Sequence, residues 1–456
     1  MIALFAKGGR AILDFSQMPL ADANQGIRLT GSYWHLYGID LCGAGDNGLL
    51  IERNKPTGGN YSDIAVNTEQ AHHNLIENCT FYRNRDTGLQ MKNLASYNYV
   101  VNCDAYFNAD PDMGDADGFA VKISHGDGNY FYGCRAWNNS DDGWDQFIKK
   151  EGGFPDDITT TLENCWAFNN GYLENGTAGK GNGNGFKMGS DQGRNNVIMN
   201  RCLAFENLQK GFDQNHNTGN MILNNCTGYS AKDDSSKSHY TYRLDEPVAA
   251  GHEIRLTNCV AISDGITDRK KSAYALCSVS GTIVTSDLMT SPEDFVSIDP
   301  TGTDGARSAD GELPDLDFMK IREGNDKLID KGSEVLPYAG ESPLSIGIKF
   351  NGTAPDLGCF ETDNSSAVNG IAADIAASNS LSVMKTNRGL LILTVEGASS
   401  NDEFALNVYT LTGERILTKT FRGPNTMIEM PVCNGVAILN ISGENYNESI
   451  KLMRKN

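Results

Sequence analysis

The chain has 456 residues, 21% charged and 39% hydrophobic, which excludes a disordered polypeptide; no apolar run approaches the ~18 residues of a membrane-spanning helix. Asp+Glu number 58 against 38 Lys+Arg, a net charge of −20, and so acidic a surface argues against sequence-independent nucleic-acid binding. Most such charge serves solubility, but carboxylates gathered at one place would call for a cation.

The opening MIALFAKGGRAILDFSQ lacks the charged start, apolar core and small-residue cleavage site of a secretory signal. Ile2–Phe5 and Ala11–Phe15 already read as short strands, so the chain is expected to begin inside a fold. Seven of the 11 cysteines then recur in one context: Asn78-Cys79, Asn102-Cys103, Gly133-Cys134, Asn164-Cys165, Arg201-Cys202, Asn225-Cys226 and Asn258-Cys259. Spacings of 24 to 37 residues, with no Cys-x-x-Cys pair, mark a structural repeat rather than a disulfide framework or zinc site.

Aligned on the cysteine, each unit is a short apolar strand, Asn-Cys, a small residue and an aromatic, one or more Asn, a turn, and Gly-aromatic. A period near 24 residues, lengthened by loops, predicts one coil of a parallel β-helix with three short strands. Asn recurring at one turn predicts an internal amide ladder, with aromatics stacked beside it.

Equivalent positions in successive coils of such a solenoid lie ~4.8 Å apart. The residue before the recurring Gly is Thr87, Asp117, Asp142, Asn184 and Lys210; the residue after the aromatic or Leu is Gln90, Ala120, Asp145, Lys187 and Asp213. Asp117 is therefore expected beside Asp142, flanked by Asp141 and Asp145, with Lys187 one coil beyond Asp145. Four carboxylates this close repel unless a cation sits among them, and hard oxygen donors suit Ca²⁺. Lys187, in Gly185-Phe186-Lys187-Met188-Gly189, is a candidate base; Lys122 and Lys210 are the alternatives. Carboxylates alone would raise a lysine pKa, so a Lys base here depends on the metal and on burial.

The segments DADGFAVKI, NNSDDGWDQF, GNGNGFKMGS and KGFDQN, in this order, resemble polysaccharide lyase family 9, and the resemblance covers most of residues 1–362. It implies Ca²⁺-assisted β-elimination on uronate polymers, with Asp117, Asp141, Asp142 and Asp145 as calcium ligands and Lys187 as base. Lys122, Lys210, Asp213 and His216 are expected on the substrate-binding face. Trp144, Phe186 and Phe212 serve either sugar stacking or the core, and His125, His216 and the insertion at 170–184 are candidates for contact with a rhamnose. The implied partner is an acidic plant cell-wall polysaccharide, either polygalacturonate or rhamnogalacturonan I. A pectin hydrolase using the Asp pair and a non-catalytic glycan-binding β-helix are the rival readings.

The stretches 310–314, 328–332 and 354–358 resemble the closing region of secreted β-helix enzymes. Residues 363–380 read as a linker of small and polar residues, and 381–456 as a small β-sandwich. VYTLTGERILT, NGVAILNI and the basic close KLMRKN resemble sorting domains of the type IX secretion route; a carbohydrate-binding or spacer module is the alternative. The expected molecule is all-β, a right-handed parallel β-helix over 1–362 with this sandwich appended. It is expected to be extracytoplasmic (secreted, surface-attached or periplasmic) and monomeric.

Overall fold

The structure is a computed structural model. It describes residues 2–362 without 55–69, 150–155, 190, 230–239, 263–270, 274–276, 281–289, 309–310, 337, 343–344 and 346. Beyond these it describes 381–385, 390–395, 402–410, 415–422, 425–429, 436–443 and 446–453. The linker expected at 363–380 lies outside the described residues.

Three sheets of 10, 9 and 9 strands are stacked coil on coil. One coil supplies Tyr99–Val101, Asp104–Tyr106 and Phe119–Val121; the next supplies Asn129–Tyr132, Arg135–Trp137 and Trp144–Asp145. Neighbouring strands run parallel in strict register, Tyr99 opposite Tyr130, Asp104 opposite Arg135 and Phe119 opposite Trp144. This is the expected right-handed parallel β-helix.

The Asn-Cys repeat encodes two separate constraints. The residue before each cysteine turns the corner between the first and second sheets with φ between 50 and 60°. Asn and Gly enter that left-handed region at least cost, and they hold six of the seven corners, Arg201 the other. Each following cysteine then points inward, at most 1% exposed, and none of the described cysteines forms a disulfide.

The amide ladder uses a different Asn, five residues after the cysteine. Asn84 donates to Asn108 (2.9 Å), Asn108 to Asn139 (2.9 Å), Asn139 to Asn170 (2.9 Å) and Asn170 to Asn207 (3.0 Å). Beside it Phe119, Trp144, Phe186, Phe212 and Tyr242 stack through the interior with centroids 4.7–5.3 Å apart. All five are fully buried, so Trp144, Phe186 and Phe212 are core residues, closed to a sugar.

The segment after residue 290 lies along the second sheet. Phe295, Phe318, Leu328 and Leu357 cover the outward row Trp137, Trp166, Phe168 and Phe205. Arg307 pins it, 2.7 Å from Asp104, which also binds Arg135 at 2.8 Å.

The C-terminal unit is built from antiparallel sheets of 3 and 4 strands between Leu381 and Met453. Leu391, Leu393 and Ile428 of one sheet share a core with Phe404, Leu406, Leu439 and Ile441 of the other, which makes a small sandwich. No helix among the described residues is long and apolar enough to cross a membrane.

Candidate active site

The third sheet carries the candidate residues on its outward row. Alternate side chains of a strand face opposite sides. Inward Phe119, Trp144 and Phe186 therefore leave Ala120, Asp145 and Lys187 facing out, in register on successive coils. Asp213 and Arg243 continue this row over the next two coils.

Asp117 and Asp142 sit at the turn entering the sheet, each before its Gly, and the Asp142 amide N–H donates to Asp117 Oδ1 at 3.1 Å. Carboxylate oxygens of Asp117, Asp141 and Asp142 lie within 4.8 Å of one another, and all three residues are buried. Asp145 lies beside this triad, between two ammonium groups: Lys122 Nζ is 3.3 Å and Lys187 Nζ 3.5 Å away. Lys122 also reaches Asp117 at 2.6 Å, and Lys187 reaches Asp142 at 3.1 Å. The result is a chain of alternating charge, Asp117–Lys122–Asp145–Lys187–Asp142.

The insertion at 170–184 closes on this cluster. Asn182 donates its N–H to Asp141 Oδ1 (2.6 Å), while Asn184 donates both its N–H (2.8 Å) and its Nδ2 (2.9 Å) to Asp142 Oδ1. Gly181 has to lack a side chain, since a Cβ there would lie 2.4 Å from Asp141 Oδ1. Sequence reasoning placed Asn184 in the row with Asp117 and Asp142 but missed that it orients Asp142. The turn position was the available signal.

Ionisation follows from this crowding. Burial would lower the Lys187 pKa, but Asp145, Asp142, Asp117 and Asp141 outweigh it and hold the ammonium charged. Burial, and then Asp142, push Asp141 up to about 8. Burial also pushes Asp117 well above the carboxylate range; Lys122 opposes this, and Asp145, Asp141 and Asp142 add to it. With a cation holding all four carboxylates ionised against the two ammonium groups, the cluster would carry a net charge of −2. One divalent cation matches that charge, and an all-oxygen donor set is what Ca²⁺ takes. The residues present fit the metal.

The other candidates fall at different distances from this centre. Lys210 pairs with Asp213 at 2.8 Å, one coil beyond Lys187. His216 is exposed on the following turn and binds Glu246 at 2.7 Å. His125 is fully buried, so a polymer has no access to it and its expected sugar contact is withdrawn.

Residues 1–244 match the family described as Pel9A-like, right handed beta helix region. The chain belongs to this family. Pectate lyase L of Dickeya dadantii (strain 3937) is 36% identical over 361 residues, 78% of this chain and 73% of that one. The crystal structure of pectate lyase Pel9A superposes with a TM-score of 0.65 at 34% identity, covering 79% of each chain. A solved rhamnogalacturonan lyase gives a TM-score of 0.55 at 25% identity over 71% of this chain and 79% of that one. This family member is a polysaccharide lyase. Asp117, Asp141, Asp142, Asp145 and Lys187 all fall inside the matched residues 1–244.

Proposed function

We propose that this lyase cleaves galacturonate-containing pectic polymers by Ca²⁺-assisted β-elimination, with Lys187 as the base. One observation carries the reading: Lys187 Nζ stands 3.1 Å from Asp142 and 3.5 Å from Asp145, at the lip of the buried carboxylate cluster. Asp117, Asp141, Asp142 and Asp145 would hold the metal. Bound there, Ca²⁺ supplies positive charge to the uronate C6 carboxylate and so acidifies the C5 proton.

The residues do the rest. Asn182 and Asn184 each hold one oxygen, of Asp141 and Asp142 respectively, and the second oxygen of Asp142 faces Lys187, where the cation would compete for it. Once the carboxylate charge is matched, burial is the main influence left on Lys187, and burial favours the neutral amine. Lys187 then takes the C5 proton. The electron pair left on C5 forms the C4–C5 double bond, the C4–O bond breaks, and the departing oxygen takes a proton from water. The product end is a 4,5-unsaturated uronate. Lys122 holds Asp117 and Asp145 in place, and Lys210, Asp213 and His216 lie along the way for the neighbouring sugars.

Likeness to both a pectate lyase and a rhamnogalacturonan lyase supports a pectic substrate with galacturonate at the cleaved position. A polymer of that size points to work outside the cytoplasm, and the C-terminal sandwich fits a sorting or accessory module. The test is ultraviolet absorbance on mixing the protein with polygalacturonate or rhamnogalacturonan I, with Ca²⁺ or with chelator. A rise that chelator abolishes establishes elimination, and the polymer that responds is the substrate. New reducing ends without absorbance would mean hydrolysis. No new ends would leave a glycan-binding protein.

A further inference from the structure

The turn that positions Asp117, Asp141 and Asp142 occurs again two coils toward the N-terminus. The hydrogen bonds Gly48 N–H to Thr87 O, Gly88 N–H to Asp117 O and Gly118 N–H to Asp142 O fix the register of four successive turns. Leu50, Gln90, Ala120 and Asp145 are likewise aligned across the sheet. Asn47 therefore occupies the position of Asp117, Asp86 that of Asp141, and Gln90 that of Asp145. Asp46 adds a second carboxylate, 8% exposed, on which the Asp86 charge acts.

Unlike the first cluster, this one has no ion pair among the described residues. Among the described residues no Lys, Arg or His nitrogen lies within ion-pair distance of Asp46 or Asp86; Lys92 acts on Asp46 from further off and is itself 4.0 Å from Glu52, and Lys122 acts on Asp86 but is paired to Asp117 at 2.6 Å. Two buried amide oxygens also lack partners among the described residues. Asn47, 2% exposed, donates Nδ2 to Asp46 Oδ1 and to Gln90 Oε1, both at 3.2 Å, while its Oδ1 accepts nothing. Gln25 donates Nε2 to the other oxygen of Asp46, and its Oε1 is likewise unsatisfied. A half-turn of either amide exchanges nitrogen for oxygen and converts a donor to Asp46 into a further oxygen ligand. Buried carbonyls without partners cost free energy, as do facing carboxylates, and one cation relieves both.

We propose that Asp46 and Asp86, with amide oxygens of Asn47, Gln25 and Gln90, form a second site for a divalent cation, filled by Ca²⁺. It lies ~10 Å along the axis from the first, two strand spacings away. Its existence does not depend on the activity proposed above. Its use does: there, a second cation along the same groove grips another uronate carboxylate of the bound polymer.

Calorimetric titration of the full chain with Ca²⁺ tests this. Wild type is expected to bind two ions, and Asp46→Asn/Asp86→Asn and Asp117→Asn/Asp142→Asn one each. One ion in wild type, lost only in Asp117→Asn/Asp142→Asn, overturns the proposal and leaves Asp46 and Asp86 sharing a proton. A melt in chelator checks folding; relief of repulsion predicts that Asp46→Asn/Asp86→Asn is at least as stable as wild type. If it does not fold, Asn47→Ala decides: at least a fivefold loss of affinity at one site only supports the site, and no change at either refutes it. Two ions bound without elimination on either polymer would sink the proposed activity and leave the second site standing.

Discussion

Asp145 and Lys187 occupy the same register position on neighbouring coils, and their side chains meet at 3.5 Å on the outward face of the third sheet. Among the described residues the lysine has no such partner within its own coil. Parallel stacking alone brings the ammonium group to the carboxylates, which then set its charge. The site is thus a property of two coils together.

Lys187→Ala should remove elimination, with kcat falling at least ~100-fold, the lower range for loss of a general base. The substitution also leaves Asp142 and Asp145 less compensated, so Ca²⁺ affinity should hold or rise. Steady-state absorbance kinetics beside calorimetry separates these effects. A variant that keeps its kcat would exclude Lys187 as the base.

Metal removal should act on stability as well as rate. A ligand at 100 times its Kd adds about 2.7 kcal/mol to a folded state it binds selectively. Thermal melts with saturating Ca²⁺ and with chelator should therefore differ by several degrees. Equal melting temperatures would mean that the carboxylate cluster holds no calcium under those conditions.

Asp104 should govern stability in acid. Burial alone would raise its pKa, but Arg307 and Arg135 outweigh that and hold it at about 2. An unfolded Asp titrates near 4. The folded pKa is the lower, so the ion pair's contribution is complete above pH ~4 and fades as pH falls through 2. At 1.36 kcal/mol per pH unit that is about 2.5 kcal/mol. Denaturant melts from pH 5 to 2 should show a loss in wild type that is smaller in Asp104→Asn, after allowing for that variant's lower starting stability. Parallel pH profiles would refute the assignment.

Asn139 sits mid-ladder, accepting from Asn108 and donating to Asn170. Asn139→Leu should cost about 1–3 kcal/mol, since it strands both neighbours' amide groups in the interior. Cys134→Ala, one strand away, should cost less, and reducing agent should leave the melting temperature unchanged. A melting temperature that drops with reductant would mean that some of these thiols pair in solution.

The sequence alone determined the solenoid, because a strand-turn repeat is local: each coil spells its own left-handed corner, inward thiol, ladder amide and Gly-aromatic entry. It also placed Asp117 against Asp142, and Asp145 against Lys187, since counting from the same Gly in each coil is enough to align them. Only the tertiary structure decided which Asn builds the ladder and which turns the corner, because both repeat at the same period. It alone showed Trp144, Phe186, Phe212 and His125 buried, Lys122 closing on Asp117 and Asp145, and the 170–184 insertion returning to hold Asp141 and Asp142. Those contacts pass between coils and through loops of unequal length, where linear spacing carries no distance.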